Sequence, residues 1–156
     1  MKISKLRPVF YNNNKNLVET MDGTGTPGQK NRGYGIVVIE INNGLRFGLP
    51  LRTNLKHKHG FKTLDGKGLD YSKAVLISNA AFIGESFKIP TAEYVKIKDR
   101  EQFITSRFQK YVERYIRLAN KGDTKAIEQS YRYTSLVNYH SELGITPPAA
   151  PSDDNT

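Results

Sequence analysis

The run Tyr34–Ile41, YGIVVIEI, then Asn42-Asn43-Gly44, then Leu45–Leu51, LRFGLPL, constrains this chain more than any other stretch. The first run is β-branched and almost wholly apolar, so it reads as a buried strand. Asn-Gly supplies the positive φ that a tight hairpin turn needs. The second run is the returning strand, and Pro50 predicts that it ends there, because proline donates nothing to a ladder. The hairpin exit delivers the chain into Arg52–Lys62.

Other segments arrange themselves around that hairpin. Ile3–Tyr11 is expected as a first strand, with Pro8 placing it at an edge. Asn14–Met21 reads as a short helix and Asp22–Gln29, DGTGTPGQ, as a turn-rich loop. Ala74–Ser78, AVLIS, and Glu93–Ile97, EYVKI, read as further strands, the second closing the sheet. Asp99–Lys121 is the clearest helix, with Asp99 as N-cap and Gly122 as its stop. Ile104, Phe108, Tyr111, Val112, Tyr115, Leu118 and Ala119 fall on one face at 3–4 spacing and read as core. Arg100, Arg107, Lys110, Arg114, Arg117 and Lys121 line an adjacent face, which is either a solvated helix face or an RNA contact. Asp123 caps a second helical region, Thr124–Leu143, broken near Tyr133 and ended by Gly144. Its tyrosines, Tyr131, Tyr133 and Tyr139, are expected to pack with their hydroxyls at the surface.

Strands come first and helices last. That order implies an α+β fold on a mostly antiparallel sheet. A length of 156 residues favours one domain, over residues 1–145, with 146–156, rich in Pro, Ala and Asp, as a flexible tail. No GxGxxG follows a strand and no GxxxxGK[ST] occurs, which disfavours a nucleotide-binding Rossmann or P-loop domain. The absence of Cys excludes disulfides, thiol catalysis and Cys-ligated zinc. Three His make a zinc site possible only with carboxylate help. No run approaches the roughly 18 apolar residues of a membrane helix, and the N-terminus lacks the apolar core of a secretory signal. The expectation is a soluble, cytoplasmic domain.

Charge points to the partner. Lys and Arg number 24 against 15 Asp and Glu, a net charge of +9, and a basic surface predicts a polyanion, nucleic acid first. The excess is sharpest in Arg52–Lys62, RTNLKHKHGFK, with four Lys or Arg, two His and no acid in eleven residues. Such a block repels itself unless an anion neutralises it.

Metal-dependent nucleases need clustered carboxylates, and this stretch has none. Metal-free RNA cleavage suits it better. There the ribose 2′-OH attacks the adjacent phosphate, giving a 2′,3′-cyclic phosphate and a 5′-OH end. The protein must orient the hydroxyl, accept its proton, neutralise the phosphoryl oxygens and protonate the leaving oxygen. Arg52 suits bidentate phosphate contact. Thr53 offers a hydroxyl to orient the phosphate or the 2′-OH, unless it only caps the following turn. Lys56 and Lys58 add positive charge, with Lys62 and Lys67 beyond them. His57 has the range for proton exchange near neutrality; the alternative for His57 and His59 is a structural or exposed role.

The run Gly35–Ser78 resembles the core of the type III toxin–antitoxin endoribonucleases, the ToxN and AbiQ superfamily, and in particular its CptN- and TenpN-like branches. Leu49-Pro-Leu-Arg-Thr-Asn-Leu-Lys-His-Lys58 and Lys67-Gly-Leu-Asp-Tyr-Ser-Lys-Ala-Val75 carry the likeness, which extends more loosely over about residues 3–143. The resemblance implies a strongly twisted antiparallel sheet related to the MazF and Kid toxins, cleavage of cellular RNA without metal or cofactor, and no membrane partner. It also implies inhibition by a repeat-derived antitoxin RNA folded as a pseudoknot, which the toxin itself processes. Toxin and RNA would alternate in a closed hetero-oligomer, in some systems aborting phage infection. On this resemblance Thr53 and Lys56 are the hydroxyl and lysine after the hairpin strand. Thr53 stands where members often have Ser, and Lys56 lies one residue further on than in the ToxN pattern. Arg32, with Lys30 as alternate, is the basic residue before the GIV strand, and Tyr11 is the N-terminal tyrosine near the site. A noncatalytic RNA-binding module is the competing reading, and a metal-dependent DNA nuclease the third.

Overall fold

A computed structural model describes residues 1–21 and 34–146. The loop expected over Asp22–Gln29, the candidates Lys30 and Arg32, and the tail beyond Thr146 lie outside the described residues. Strand β1 spans Ile3–Leu6 and helix α1 spans Pro8–Asn13. Pro8 opens that helix, where the missing N–H has no helical partner to lose, so Ile3–Tyr11 is a strand followed by a helix. β1 is also no edge: it pairs antiparallel with β2 (Ile36–Glu40) on one side and β7 (Ile83–Ser86) on the other. The helix expected over Asn14–Met21 does not form. Both backbone polar groups of Val18 bond instead to the Asn138 side chain, at 3.0 and 2.7 Å.

β2 and β3 (Arg46–Arg52) make the expected hairpin, in register from Glu40 opposite Arg46 to Ile36 opposite Pro50. Gly44, at φ 84°, supplies the left-handed residue of the turn. The strand runs through Pro50 instead of ending there. The Leu51 N–H donates to the Gly35 carbonyl on the β2 side, and successive backbone nitrogens point to opposite sides of a strand. The Pro50 nitrogen therefore faces the other flank, between the pairings of Gly48 with β6 (Val75–Leu76) and of Leu51 with β5 (Gly68–Asp70). No ladder donor is needed at that gap. β4 (Gly60–Lys62) pairs with β5 and completes the order β4-β5-β3-β2-β1-β7, with β6 also on β3; every pairing is antiparallel.

Glu93–Ile97 is not a strand. It lies within helix α2 (Thr91–Asp99), which begins after Pro90. Glu93 and Ile97, four apart, are its buried residues. Asp99 ends α2 instead of capping the next helix, and α3 (Glu101–Lys121) starts behind Arg100 without a side-chain cap. Gly122 stops α3 at φ 68°. The expected core stripe of α3 is buried, apart from half-buried Leu118. α4 (Thr124–Tyr131) is capped by the Asp123 carboxylate, which accepts the Ala126 N–H. The rest of the second helical region is a 3₁₀ turn, Ser135–Tyr139. Tyr131 and Tyr139 are buried, not surface-tipped: the Tyr131 hydroxyl donates to the Tyr111 carbonyl at 2.8 Å, while Tyr133 is exposed.

The sheet is covered on both faces, which explains the unbroken apolar run of β2. Val37 and Ile39 join Phe47, Leu49 and the α3 stripe in the larger core. Ile36 and Val38 pack on the other side with Phe10 of α1 and Phe82. The result is an α+β fold on an antiparallel sheet with a helical C-terminal half. Among the described residues no helix is long and apolar enough to cross a membrane.

Candidate functional site

The chain leaves β3 at Arg52 and returns as the β4–β5 hairpin, which docks beside it through Arg52 opposite Gly68 and Leu51 opposite Leu69. This close return requires glycines. A Cβ on Gly60 would strike the Leu69 carbonyl oxygen, and one on Gly68 the Phe61 carbonyl oxygen. Between these strands Leu55 is buried, and its N–H donates to the Gly66 carbonyl at 2.7 Å. The segment Leu-Lys-His-Lys-His then alternates. Leu55, His57 and His59 turn toward the protein, while Lys56 and Lys58 are exposed.

Asp70 organises this alternation. Its carboxylate is fully buried at the end of β5. Oδ1 accepts the Ser72 N–H at 2.9 Å and the Ser72 hydroxyl at 2.6 Å. Oδ2 faces Arg52 Nη1 at 3.0 Å and His57 Nε2 at 3.3 Å. The Nδ1 of His57 lies 3.0 Å from the His59 backbone N–H. A backbone N–H can only donate, so Nδ1 is the acceptor and the proton of the neutral ring sits on Nε2, toward Asp70. Both nitrogens of His57 are thus engaged within the protein. The ring ties the loop to Asp70, as the structural alternative for it has it.

Arg52 keeps 37% of its side chain exposed and is pinned on one nitrogen only, leaving donors for an anion. It lines a cavity of about 780 Å³ together with Thr53, Lys67, Lys73, Tyr34 and Glu93. Lys73 is held by the Tyr133 carbonyl at 2.8 Å and by Glu19 at 3.3 Å. Lys56 and Lys58 do not line this cavity, which brings Thr53 together with Lys67 and Lys73. Tyr11 sits beside Tyr34, and burial pushes both phenols up, Tyr34 the further.

The other half of the loop meets α3. The His59 ring lies 5.6 Å from that of Tyr111 and stacks on Tyr131 at 6.1 Å, and the Arg114 guanidinium also sits over Tyr131, 5.5 Å from its ring centroid. Burial pushes the His59 pKa down, and the charges of His57, Lys58 and Arg114 add to the fall against the opposing pull of Asp70. Arg107 and Arg100 lie over Phe103 at 5.0 and 4.4 Å. Lys110 and Arg117 are exposed on the same helix, and Lys62 is exposed on β4. Two basic segments distant in sequence, Arg52–Lys62 and the α3 face, therefore meet at His59 and Arg114.

Among the described residues there is no group of three His, Cys, Asp or Glu side chains that could hold a metal ion. Asp70 and Lys73 sit in the quoted Lys67–Val75 run, where distance along the chain conceals the contact of Asp70 with Arg52 and the place of Lys73 in the same cavity. Two contributors are not singled out by the sequence: Tyr34 lies in a run that reads as a buried strand, and Glu93 in a segment that reads as a strand but is helical. The inward–outward alternation of Leu55–His59 is a period-2 signal that would have separated His57 from Lys56 and Lys58. No protein-family model, curated protein or solved structure matches the chain.

Proposed function

We propose that this protein is a metal-independent endoribonuclease of the type III toxin kind, with a fold related to MazF and Kid, held in check by a repeat-derived pseudoknot RNA that it processes. One observation carries the reading: an arginine oriented by a fully buried aspartate at the wall of a cavity that Thr53, Lys67 and Lys73 also line. Asp70 fixes one edge of the guanidinium, so the rest is oriented before an anion arrives, and little side-chain entropy remains to be lost on binding. In this reading Arg52 and Lys67 neutralise the phosphoryl oxygens, and the Thr53 hydroxyl orients the 2′-OH for in-line attack. His57 is a positioning residue. The antitoxin RNA lies along the exposed lysines of the loop and the Arg107–Arg114 side of α3.

A noncatalytic RNA-binding module is favoured by a different observation, the internal engagement of both His57 nitrogens. Incubating the purified chain with RNA in EDTA separates the two. Products ending in 2′,3′-cyclic phosphate, with Thr53→Ala slowing cleavage by about 10²-fold or more at little cost in affinity, support the nuclease. Tight, salt-sensitive binding without cleavage supports the module. Cleavage that requires added divalent metal overturns both.

A further inference from the structure

His59 differs from the other two histidines of the chain. Both nitrogens of His57 are engaged, and His140 Nε2 lies 2.6 Å from the Tyr115 hydroxyl. His59 bonds through its backbone: its N–H donates to His57 Nδ1, and its carbonyl accepts the Tyr71 N–H at 3.0 Å. Its ring nitrogens have no hydrogen-bond partner among the described residues. The ring is half-buried, so an edge of it stays accessible. Around it stand the rings of Tyr111, Tyr131 and, at 5.8 Å, His57. Burial keeps both phenols in their neutral form, so neither ring can balance a positive charge.

The charged and titratable groups that face His59 come from three places: His57 and Lys58 from its own loop, Arg114 from α3 and Asp70 from β5. Asp70 already accepts twice from Ser72 and faces Arg52 and His57. Lys58 and Arg114 are exposed and take no part in the ion pairs found among the described residues. The junction of loop and helix thus holds two fixed cations, a histidine with unpartnered nitrogens and no carboxylate to spare. Burial and the neighbouring cations disfavour a proton on the ring. A bound anion reverses that balance, because an opposite charge within about 4–6 Å favours the charged form by about 1–3 pKa units. A phosphodiester suits the place: its oxygens only accept, and imidazolium, ammonium and guanidinium only donate. We propose that this junction is a phosphate site for an RNA backbone, where His59 binds in its protonated form beside Lys58 and Arg114, so that the chain takes up a proton as RNA docks. The proposal rests on the reading above that RNA is the ligand, and adds a pH-linked contact outside the Arg52 cavity.

Calorimetric titration of the full chain with a 2′-O-methyl oligouridylate in EDTA, repeated in buffers of different ionisation enthalpy, counts the protons without requiring cleavage. The methyl group removes the nucleophile, and neither uracil nor a phosphodiester titrates near neutrality. Between about pH 5.5 and 7, uptake approaching one proton per chain is expected. Affinity should then rise by up to about tenfold for each pH unit lowered. His59→Asn keeps the backbone N–H that His57 accepts and is expected to abolish the uptake, with circular dichroism confirming its fold. Should that variant not fold, NMR titration of the three wild-type imidazoles locates the proton, and His59 alone should gain proton affinity when the oligonucleotide is added. No uptake, uptake that persists in His59→Asn, or a proton found on His57 or His140 overturns the site. Uptake at His59 in a chain that cuts no RNA keeps the site and removes the nuclease; metal-free cleavage without uptake does the reverse. A chain that does not bind the oligonucleotide overturns the site and the RNA reading together.

Discussion

Replacing Asp70 by Asn tests whether one buried carboxylate holds the loop. The aspartate accepts from two Ser72 donors on Oδ1 and faces Arg52 and His57 on Oδ2. Asparagine has one acceptor oxygen. If that oxygen serves Ser72, the amide nitrogen confronts Arg52 and His57, donor against donor. Hydrogen bonds to a charged group are worth about 1.5–3 kcal/mol each. Arg52 and His57 keep 37% and 36% of their side chains exposed, so water screens both and the lower figure applies. Two such bonds set the loss near 3 kcal/mol, a large share of the roughly 5–15 kcal/mol typical of a domain. Urea unfolding followed by far-UV circular dichroism reads it directly. With m near 2 kcal/mol/M, the midpoint drops by about 1.5 M. The double variant Asp70→Asn with Arg52→Met should cost less than the sum of the singles, because the bond lost is shared. A loss below about 1 kcal/mol, or strict additivity, would refute the network account.

Phe108→Ala empties a fully buried site against Phe47 and Tyr71 and should cost about 3–5 kcal/mol by the same unfolding assay. The His59 pKa is lowered in the folded state, so below its unfolded value near 6.5 the unfolded chain binds more protons. Its contribution to stability is present above pH 6.5 and is lost as pH falls through the folded pKa; His59→Asn should flatten the slope of stability against pH over that window. Arg114→Ala, which removes the cation over Tyr131, should weaken RNA binding and reduce the slope of log affinity against log salt by about 1. An unchanged slope would return that helix face to plain solvent exposure.

Legibility in the sequence followed the range of the interactions concerned. The β2–β3 hairpin, the α3 stripe, the Asp123 cap and the Gly122 stop rest on neighbours within a few residues, and all were readable. Pro8 and Pro50 misled because a proline constrains one nitrogen, and whether that nitrogen needed a partner depended on what lay across from it. Glu93–Ile97 misled because five residues fit a strand and a helix about equally well until Pro90 and the buried pair, Glu93 and Ile97, set the period.

What the chain's own order of residues determined is its class and its sign: an antiparallel sheet ahead of helices, and a cationic surface concentrated at the hairpin exit. Both are sums over many local preferences and tolerate errors in any one. Which of the cations are usable was decided in three dimensions. Asp70 meets Arg52 and His57 only because β5 docks on β3, leaving Lys56 outside the cavity and bringing Lys67, Lys73 and Glu93 into it. A charge acts through distance and burial, and neither exists until the strands have paired.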